Sequence, residues 1–237
     1  MASRDGGQKS TDNDTRDRVL NAALHVFSER GFDAATLREI TEAAGANIAA
    51  VNYYFRSKDA LIREVLETFT RPGIEGRIAA LDACERAAAD GRPDLEDVIE
   101  ALVRPMVQLS HDRRGGRAMI RLLMQTRALP RPQTVSFFSE ELDPLVHRFV
   151  DALARAAPEL GRPAVFWRYN FALGAVMQVL TDSDPKTRRL ARLSDGLCDT
   201  DDDEAIIAQL VAFISAGFRA PSRTRVRSSA ARVRAPA

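Results

Sequence analysis

Several features that mark other protein classes are missing from this sequence of 237 residues. It holds only two cysteines, Cys84 and Cys198, and no CxxC pair, which argues against a disulfide framework or a zinc ribbon. No apolar run reaches the ~18 residues of a membrane span, and residues 1–14 lack the apolar core of a signal peptide. The sequence therefore predicts a soluble, cytoplasmic protein with reduced thiols.

The motifs of common enzyme classes are also missing. His25, His111 and His147 are scattered, and none has a cysteine or carboxylate at the spacing of a metal-ligand set. There is no GxSxG nucleophile motif, no phosphate-binding glycine loop and no dinucleotide-binding fingerprint. The acidic run 199–204 lacks the glycine and the closing glutamate of a calcium loop, so we interpret it as helix N-terminal charge. These absences predict a protein that is not an enzyme and needs no metal or cofactor.

Strand-like alternation is missing too, whereas apolar residues recur at helical spacings of three and four along the chain. Charged residues make up 28% but nearly cancel, to a net charge of +1, so overall charge does not identify a partner. Apolar residues make up 45%, enough for a substantial core, and we expect an all-α fold. Glycine and proline divide the C-terminal part into predicted helices at 73–89, 95–110, 116–129, 133–156, 163–181 and 202–218.

The N-terminal part predicts an arm followed by four helices. Residues 1–14 show no periodicity, and we expect them to be disordered. Each helix that follows has side chains suited to cap its first turn, and the first two end at a glycine that tolerates positive φ. The first predicted helix begins at Asp14 or Thr15 and ends at Gly31. The second begins at Thr36, with Glu39 as its capping-box partner, and ends at Gly45. The third extends from Asn47 to Arg56, and the fourth from Ser57 to Phe69.

The stretch Leu37–Lys58, LREITEAAGANIAAVNYYFRSK, has the pattern of a helix-turn-helix. Two short helices flank Gly45, and apolar residues at matching spacings let the helices cross and share a small core. In such a motif the second helix enters the major groove of DNA. No acidic residue occurs from Ala43 through Lys58, so carboxylates are kept off the surface that would approach phosphates.

These residues resemble the DNA-binding domain of the TetR family. The resemblance covers residues 15–70 and is strongest in NYYFRSKDALI, where an aromatic helix end precedes Ser57, Lys58, Asp59 and an apolar pair. It implies an N-terminal three-helix helix-turn-helix DNA-binding domain, a larger C-terminal helical ligand-binding and dimerisation domain, and a double-stranded DNA operator as partner. The DNA contacts implied by the family pattern are Thr36, Arg38, Asn47, Ile48, Ala49, Ala50, Asn52, Tyr54 and Lys58.

Within this motif some roles remain open. The sequence has Asn52 where many family members have tyrosine, so its contact is either a base edge or a phosphate. The apolar residues at 48–50 favour contact with thymine methyl groups and readout of DNA shape. We interpret Tyr53 and Phe55 as core residues, because neighbouring aromatics on a short helix cannot all face outward. Arg56 is interpreted equally well as a DNA contact or as a solvated charge.

The C-terminal part is expected to bind a small hydrophobic effector. Residues 165–175 resemble the matching helix of the TetR subgroup that responds to long-chain fatty acids or their thioesters and represses β-oxidation genes. Methionine and aromatic side chains adapt to flexible alkyl ligands. One of Arg117, Arg121 and Arg127 is a candidate partner for a ligand carboxylate, with a solvated face as the alternative. The residues predicted to line the pocket are Met119, Leu123, Met124, Phe137, Trp167 and Phe171.

Together these patterns predict a dimeric repressor that leaves a palindromic operator when its effector binds. We expect a homodimer with its interface on helices 133–156 and 163–181. The alternatives are a ligand carrier with a vestigial helix-turn-helix and a TetR-type regulator of aromatic, drug-like compounds. Six arginines and no acid at 219–237 indicate a solvated basic tail, with a DNA-contacting arm as the alternative. The predicted domains are an arm (1–14), a DNA-binding domain (15–60), a ligand-binding and dimerisation domain (61–218) and the tail (219–237).

Overall fold

A computed structural model describes residues 5–221, with the side chains of residues 14–221, and this part of the chain contains helices and no strand. The all-α prediction is confirmed. No helix within the described residues has the length and apolar character needed to cross a membrane. The helices are α1 (Asp5–Ala34), α2 (Leu37–Ala44), α3 (Ile48–Phe55), α4 (Lys58–Ala87), α5 (Leu95–Ser110), α6 (Gly116–Ala128), α7 (Pro132–Phe137), α8 (Asp143–Ala156), α9 (Arg162–Asp182), α10 (Arg189–Leu193) and α11 (Asp203–Arg219).

Helix α1 begins at Asp5, earlier than the predicted start, so the expectation of disorder over residues 1–14 needs correction from residue 5 onward. Extending an existing helix costs far less than nucleating one, and the Arg18 guanidinium lies 3.4 Å from the Asp14 carboxylate one turn away. The predicted break at Gly31 is present as a kink inside α1, where this residue has a φ of 75°. Residues 1–4 of the predicted arm lie outside the described residues.

Helix α4 is longer than predicted, because it continues through Pro72 instead of stopping before it. A proline inside a helix removes one backbone hydrogen bond, and that loss is tolerated where packing holds both halves. Here α4 packs along α5, and the Thr70 hydroxyl donates to the Leu66 carbonyl (2.6 Å) just before the proline. The boundary predicted between residues 60 and 61 falls in the first turn of this helix, where the chain has no break.

The segment predicted as one helix over 133–156 is divided. Helix α7 ends at Phe137, a π-helical turn spans Phe138–Leu142, and α8 follows with Pro144 in its first turn. Proline suits that position because the first-turn N–H groups have no partner within the helix. The π-helical turn inserts an extra residue into the helical repeat, which realigns α8 relative to α7.

Two hydrophobic cores hold the molecule together. The larger core lies among α4, α5, α8, α9 and α11 and includes Phe149 and Phe218. The smaller core holds the helix-turn-helix against α1 and the first half of α4. Met119 of α6 and Phe137 of α7, both fully buried, also belong to this smaller core. The C-terminal helices therefore complete the core of the N-terminal domain.

Candidate nucleic-acid interface and ligand cavity

Helices α2 and α3 form the predicted helix-turn-helix. The capping box is present: the Thr36 hydroxyl accepts from the backbone N–H of Glu39, whose carboxylate accepts from the backbone N–H of Thr36 (2.9 Å). The backbone N–H of Thr36, followed by its hydroxyl, lowers the pKa of Glu39. Gly45 ends α2 with a φ of 59°, in the left-handed region that glycine adopts without a steric cost.

The inner side of α3 anchors the motif. Val51 and Phe55 are buried against Ile40 and Ala44 of α2 and against α1. The Arg18 guanidinium of α1 donates to the Ala44 carbonyl (3.2 Å), which leaves a helix-end carbonyl satisfied. The interpretation of Phe55 as a core residue is confirmed. This packing fixes which side of α3 faces outward.

The outer side of α3 exposes residues three and four positions apart: Ala49, Asn52 and Tyr53. Ile48 is also exposed, and Ala50 is half-buried. The interpretation of Tyr53 as a core residue is wrong, because its side chain is 73% exposed and lies edge-on against Tyr54. The spacing from Ala49 could have identified it, since residues at i and i+4 share a helix face. The structure thus adds Tyr53 to the candidate surface.

Several predicted contact residues also have roles within the protein. The Asn47 side chain caps α3 by accepting from the backbone N–H of Ala50 (2.8 Å). The Arg38 side chain is highly exposed and pairs with Glu42 (2.8 Å), so it must exchange that partner to reach DNA. The Lys58 ammonium donates to the backbone carbonyl of Ala35 (2.5 Å) and lies 3.4 Å from that of Asp33, in the turn between α1 and α2. The charge of Lys58 is therefore fixed beside the turn that precedes α2.

Arg56 follows α3 with a φ of 61°, a conformation that costs a residue with a side chain about 1–2 kcal/mol. Its side chain is exposed beside the outer face of α3. With no acidic residue from Ala43 through Lys58, this face carries positive charge and hydrogen-bonding groups without carboxylates. Such a surface can approach phosphates and base edges without electrostatic repulsion.

A small enclosed cavity of about 70 Å³ lies in the C-terminal domain, among α4, α5, α6, the π-helical turn, α8 and α9. Its wall is mostly apolar, as expected for a site that takes a small organic molecule. The residues that line it are Thr70, Gly73, Arg77, Met106, Leu109, Ile120, Leu123, Arg127, Phe138, Leu142, Leu145, Val146, Tyr169, Leu173 and Met177.

Of the six residues predicted to line a pocket, only Leu123 contributes to this cavity. Met119 and Phe137 are fully buried in the smaller core, and Met124 is half-buried against the larger one. Trp167 and Phe171 lie on the outer face of α9 and are 63% and 62% exposed. These five residues therefore lie outside the cavity wall, and their assignment as ligand contacts stays a prediction. The sequence indicated apolar helices correctly, but the facing direction of each helix depends on its neighbours.

The three arginines proposed as carboxylate partners have different surroundings. Arg121 pairs with Asp184 (2.5 Å), and Arg117 contacts His111 and the Leu180 carbonyl. Only Arg127 lines the cavity, where its guanidinium lies 5.6 Å from the ring centroid of Phe138. The cavity has a second cation that sequence analysis missed, Arg77 of α4.

The outer surface of α9 and α11 is unusually apolar. Trp167 and Phe171 stack one helical turn apart, with ring centroids 5.7 Å apart, and Phe213 of α11 is 69% exposed. Large aromatic side chains gathered on a surface are typical of protein–protein interfaces.

Known proteins resemble the chain in both domains. Residues 19–65 match the model of bacterial regulatory proteins of the tetR family, and residues 100–217 match a tetracyclin repressor-like C-terminal domain. The regulator UidR of Escherichia coli K12 is 29% identical over 129 residues, which cover 54% of this chain and 58% of that protein. The repressor NicS of Pseudomonas putida is 40% identical over 68 residues, which cover 28% of this chain and 32% of NicS.

A solved structure with the same fold is the fatty acid degradation regulator FadR from Bacillus halodurans. Its TM-score is 0.60 at 16% identity, and the match covers 85% of this chain and 98% of that one. At this identity the likeness is one of fold. The curated relative UidR is matched over little more than half of its length.

Proposed function

The chain belongs to the tetR family of bacterial regulatory proteins, and we propose that it is a DNA-binding repressor that a small hydrophobic molecule releases from a palindromic operator. The observation that carries this proposal is the outer face of α3. It presents Ala49, Asn52 and Tyr53 on a helix of the shape and size that the major groove admits. No carboxylate lies on or beside this helix from Ala43 through Lys58.

Readout of sequence is proposed to combine polar and apolar contacts. The Asn52 amide can make hydrogen bonds to a base edge, and Ile48 and Ala49 suit thymine methyl groups. Tyr53 and Tyr54 can donate to phosphates and so fix the register of the helix. Arg56 supports these contacts through its charge at the end of the helix.

We propose that the protein acts as a homodimer formed through α9 and α11. The exposed aromatics Trp167, Phe171 and Phe213 support this interface. Sequence analysis predicts that 133–156 and 163–181 supply most of the interface. The segment 133–156 exposes one large apolar side chain, Val135, whereas α9 and α11 together expose three. A two-fold axis would present two α3 helices to successive major grooves about 34–36 Å apart, which requires a palindromic operator.

The proposed effector site is the enclosed cavity. Pockets for drug-sized ligands measure about 300–1,000 Å³, so a cavity of about 70 Å³ must widen when an effector enters. Ligand binding then favours an altered arrangement of the surrounding helices, α4 among them. DNA release follows from the difference in effector affinity between the two arrangements. The apolar wall suits a long-chain fatty acid or acyl thioester, and a compact aromatic compound is the second candidate.

The DNA-binding proposal is tested by selecting bound sequences from random duplexes with the purified full-length protein. We expect a palindromic consensus that Asn52→Ala relaxes and that Arg114→Ala, an exposed change in the loop before α6, leaves unchanged. Enrichment of no sequence, combined with tight ligand binding, would instead support a carrier with a vestigial helix-turn-helix.

The effector proposal is tested with saturated fatty acids of about eight to eighteen carbons against labelled operator. Each buried methylene contributes about 0.8 kcal/mol, so binding should strengthen about fourfold per carbon until the cavity is full. Acyl thioesters of the same lengths and a compact aromatic compound form the comparison series. Affinity that is independent of chain length would contradict an alkyl effector and leave the repressor proposal intact.

A further inference from the structure

The enclosed cavity has a cationic wall without a balancing acid. Arg77, Arg127 and Tyr169 contribute three polar groups, the hydroxyl of the fourth polar residue, Thr70, is bonded to the Leu66 carbonyl, and none of the lining residues is aspartate or glutamate. The hydroxyl of Tyr169 is close enough for the charges of both arginines to lower its pKa, although burial raises that pKa more. The three polar groups therefore lie together in a wall that is otherwise mostly apolar.

Arg77 is the most unusual of these groups. Its Nε donates to the Gly73 carbonyl one turn back on α4 (3.0 Å), and a terminal nitrogen lies 4.0 Å from the sulfur of Met106. Within residues 14–221 it forms no ion pair. Burial lowers the pKa of its guanidinium, which nevertheless stays charged at neutral pH.

Three other arginines on the same bundle have carboxylate partners. Arg63 of α4 bonds to Glu67 and Glu140, Arg104 of α5 bonds to Glu100 and Glu204, and Arg148 of α8 bonds to Asp82 and Glu85. Those side chains reach the surface, where pairing is easily achieved. Two arginines face the cavity, Arg77 and Arg127, and neither has a carboxylate partner among the described residues, although withdrawing an unpaired charge from water is costly. An unpaired cation beside a cavity favours an anionic ligand there.

We propose that the effector is an anionic amphiphile whose carboxylate binds Arg77. The guanidinium fork matches a carboxylate through two parallel hydrogen bonds. Tyr169 donates a third bond, and the raised pKa of its buried hydroxyl keeps the proton in place. Arg127 adds positive charge from α6, and the apolar part of the ligand lies against Leu123, Leu145 and Leu173. This inference rests on the proposed effector site, and it selects a free acid over a thioester or another neutral derivative.

The test measures binding to the full-length protein by calorimetry in the absence of DNA, with dodecanoate and methyl dodecanoate as probes. A hydrogen-bonded charge pair contributes about 1.5–3 kcal/mol, so dodecanoate should bind about ten- to a hundredfold more tightly than the ester. Arg77→Met should abolish that preference while ester binding stays within about threefold of wild type. Arg148→Met, which removes a paired arginine outside the cavity, should keep the preference.

A second readout separates anion recognition from a structural role. Removing an unpaired, half-buried charge should leave the thermal unfolding midpoint of the ligand-free protein unchanged or raised in Arg77→Met. A structural arginine would lower it. Equal affinity of the two probes for wild type, a preference that survives Arg77→Met, or no saturable binding of dodecanoate would each overturn the inference. Dodecanoate binding that depends on Arg77 but leaves DNA bound would support the inference and contradict the proposed release mechanism.

Discussion

The helix-turn-helix and the cavity of the C-terminal domain place their functional groups in opposite ways. At α3 the candidate contacts come from one continuous stretch, and their side chains project from a short helix into solvent. The cavity collects residues from several helices between α4 and α9, and Arg77 and Tyr169 are far apart in the sequence. The first site depends on local geometry, whereas the second depends on the packing of long helices. Substitutions should therefore act locally at α3 and globally around the cavity.

The largest expected effect is on stability, and it comes from a substitution in the C-terminal domain. Gly116 opens α6, and a methyl group there would overlap the carbonyl of Leu109 at the end of α5. Backbone cannot yield as a flexible side chain does, so Gly116→Ala should lower the free energy of unfolding by about 3 kcal/mol or more. Urea denaturation followed by circular dichroism measures this loss of stability.

Two other glycines provide the controls for that substitution. Gly161→Ala, before α9, meets only ordinary contact distances and should cost less than about 1 kcal/mol. Gly45→Ala, in the turn of the helix-turn-helix, has space for the methyl but a positive φ, so it should cost about 1–2 kcal/mol. If Gly116→Ala is as mild as Gly161→Ala, the close approach of α5 and α6 is not a constraint on the fold.

The contrast between local geometry and long-range packing explains which features can be predicted from the sequence. Gly45, the Thr36 capping box and the buried Phe55 follow from neighbours within a few residues, and α5 was predicted with its observed ends. Tyr53 was misassigned because three consecutive aromatics, at 53–55, compete for one buried face of a short helix. The exposure of Trp167 could not be predicted, because an aromatic at helical spacing does not reveal which neighbour covers it. Arg77 was missed because its burial depends on residues far along the chain.

The next effect concerns the outer face of α9. Trp167→Glu places a charge in the proposed dimer interface, where a buried aromatic contributes 2 kcal/mol or more. We expect the dimer dissociation constant to rise about thirtyfold or more, and analytical ultracentrifugation measures the change. Leu197→Glu is the control, because Leu197 is highly exposed in the loop between α10 and α11 and belongs to neither helix of the proposed interface. A wild-type protein that is monomeric at micromolar concentration, or equal effects of the two changes, would exclude this interface.

A smaller effect concerns the ion pair between α6 and the end of α9. Burial raises the pKa of Asp184, but the backbone N–H of Lys186 and the guanidinium of Arg121 outweigh it, so the net pKa is lowered. Asp184→Asn should therefore cost about 1–2 kcal/mol at neutral pH, part of the penalty for breaking a buried pair. Asp182→Asn, whose partner Arg189 is more exposed, should cost less.

The lowered pKa of Asp184 determines how the effect of Asp184→Asn on stability changes with pH. A carboxyl with a lowered folded-state pKa contributes stability above its unfolded pKa of about 4, and the contribution is lost as pH falls through the folded value. The stability difference between wild type and Asp184→Asn should accordingly be constant near neutral pH and shrink below about pH 4. A difference that grows on acidification would contradict the assigned charge state.

The smallest effect returns to the end of α3 and tests whether that site acts locally. Arg56→Gly removes one exposed charge and relieves a positive φ, while the unfolded chain gains freedom, so stability should change by less than about 1 kcal/mol. DNA affinity should fall less than about tenfold, and the slope of log affinity against log salt should decrease by about 0.9 for one lost phosphate contact. Arg56→Lys keeps the charge and should keep the slope. Lys58→Met should lower the slope similarly but also destabilise the turn between α1 and α2, because its ammonium bonds to the Ala35 carbonyl. A slope that neither removal changes would show that this end of α3 stays away from the phosphates, and the contacts would then lie with Asn52 and the tyrosines alone.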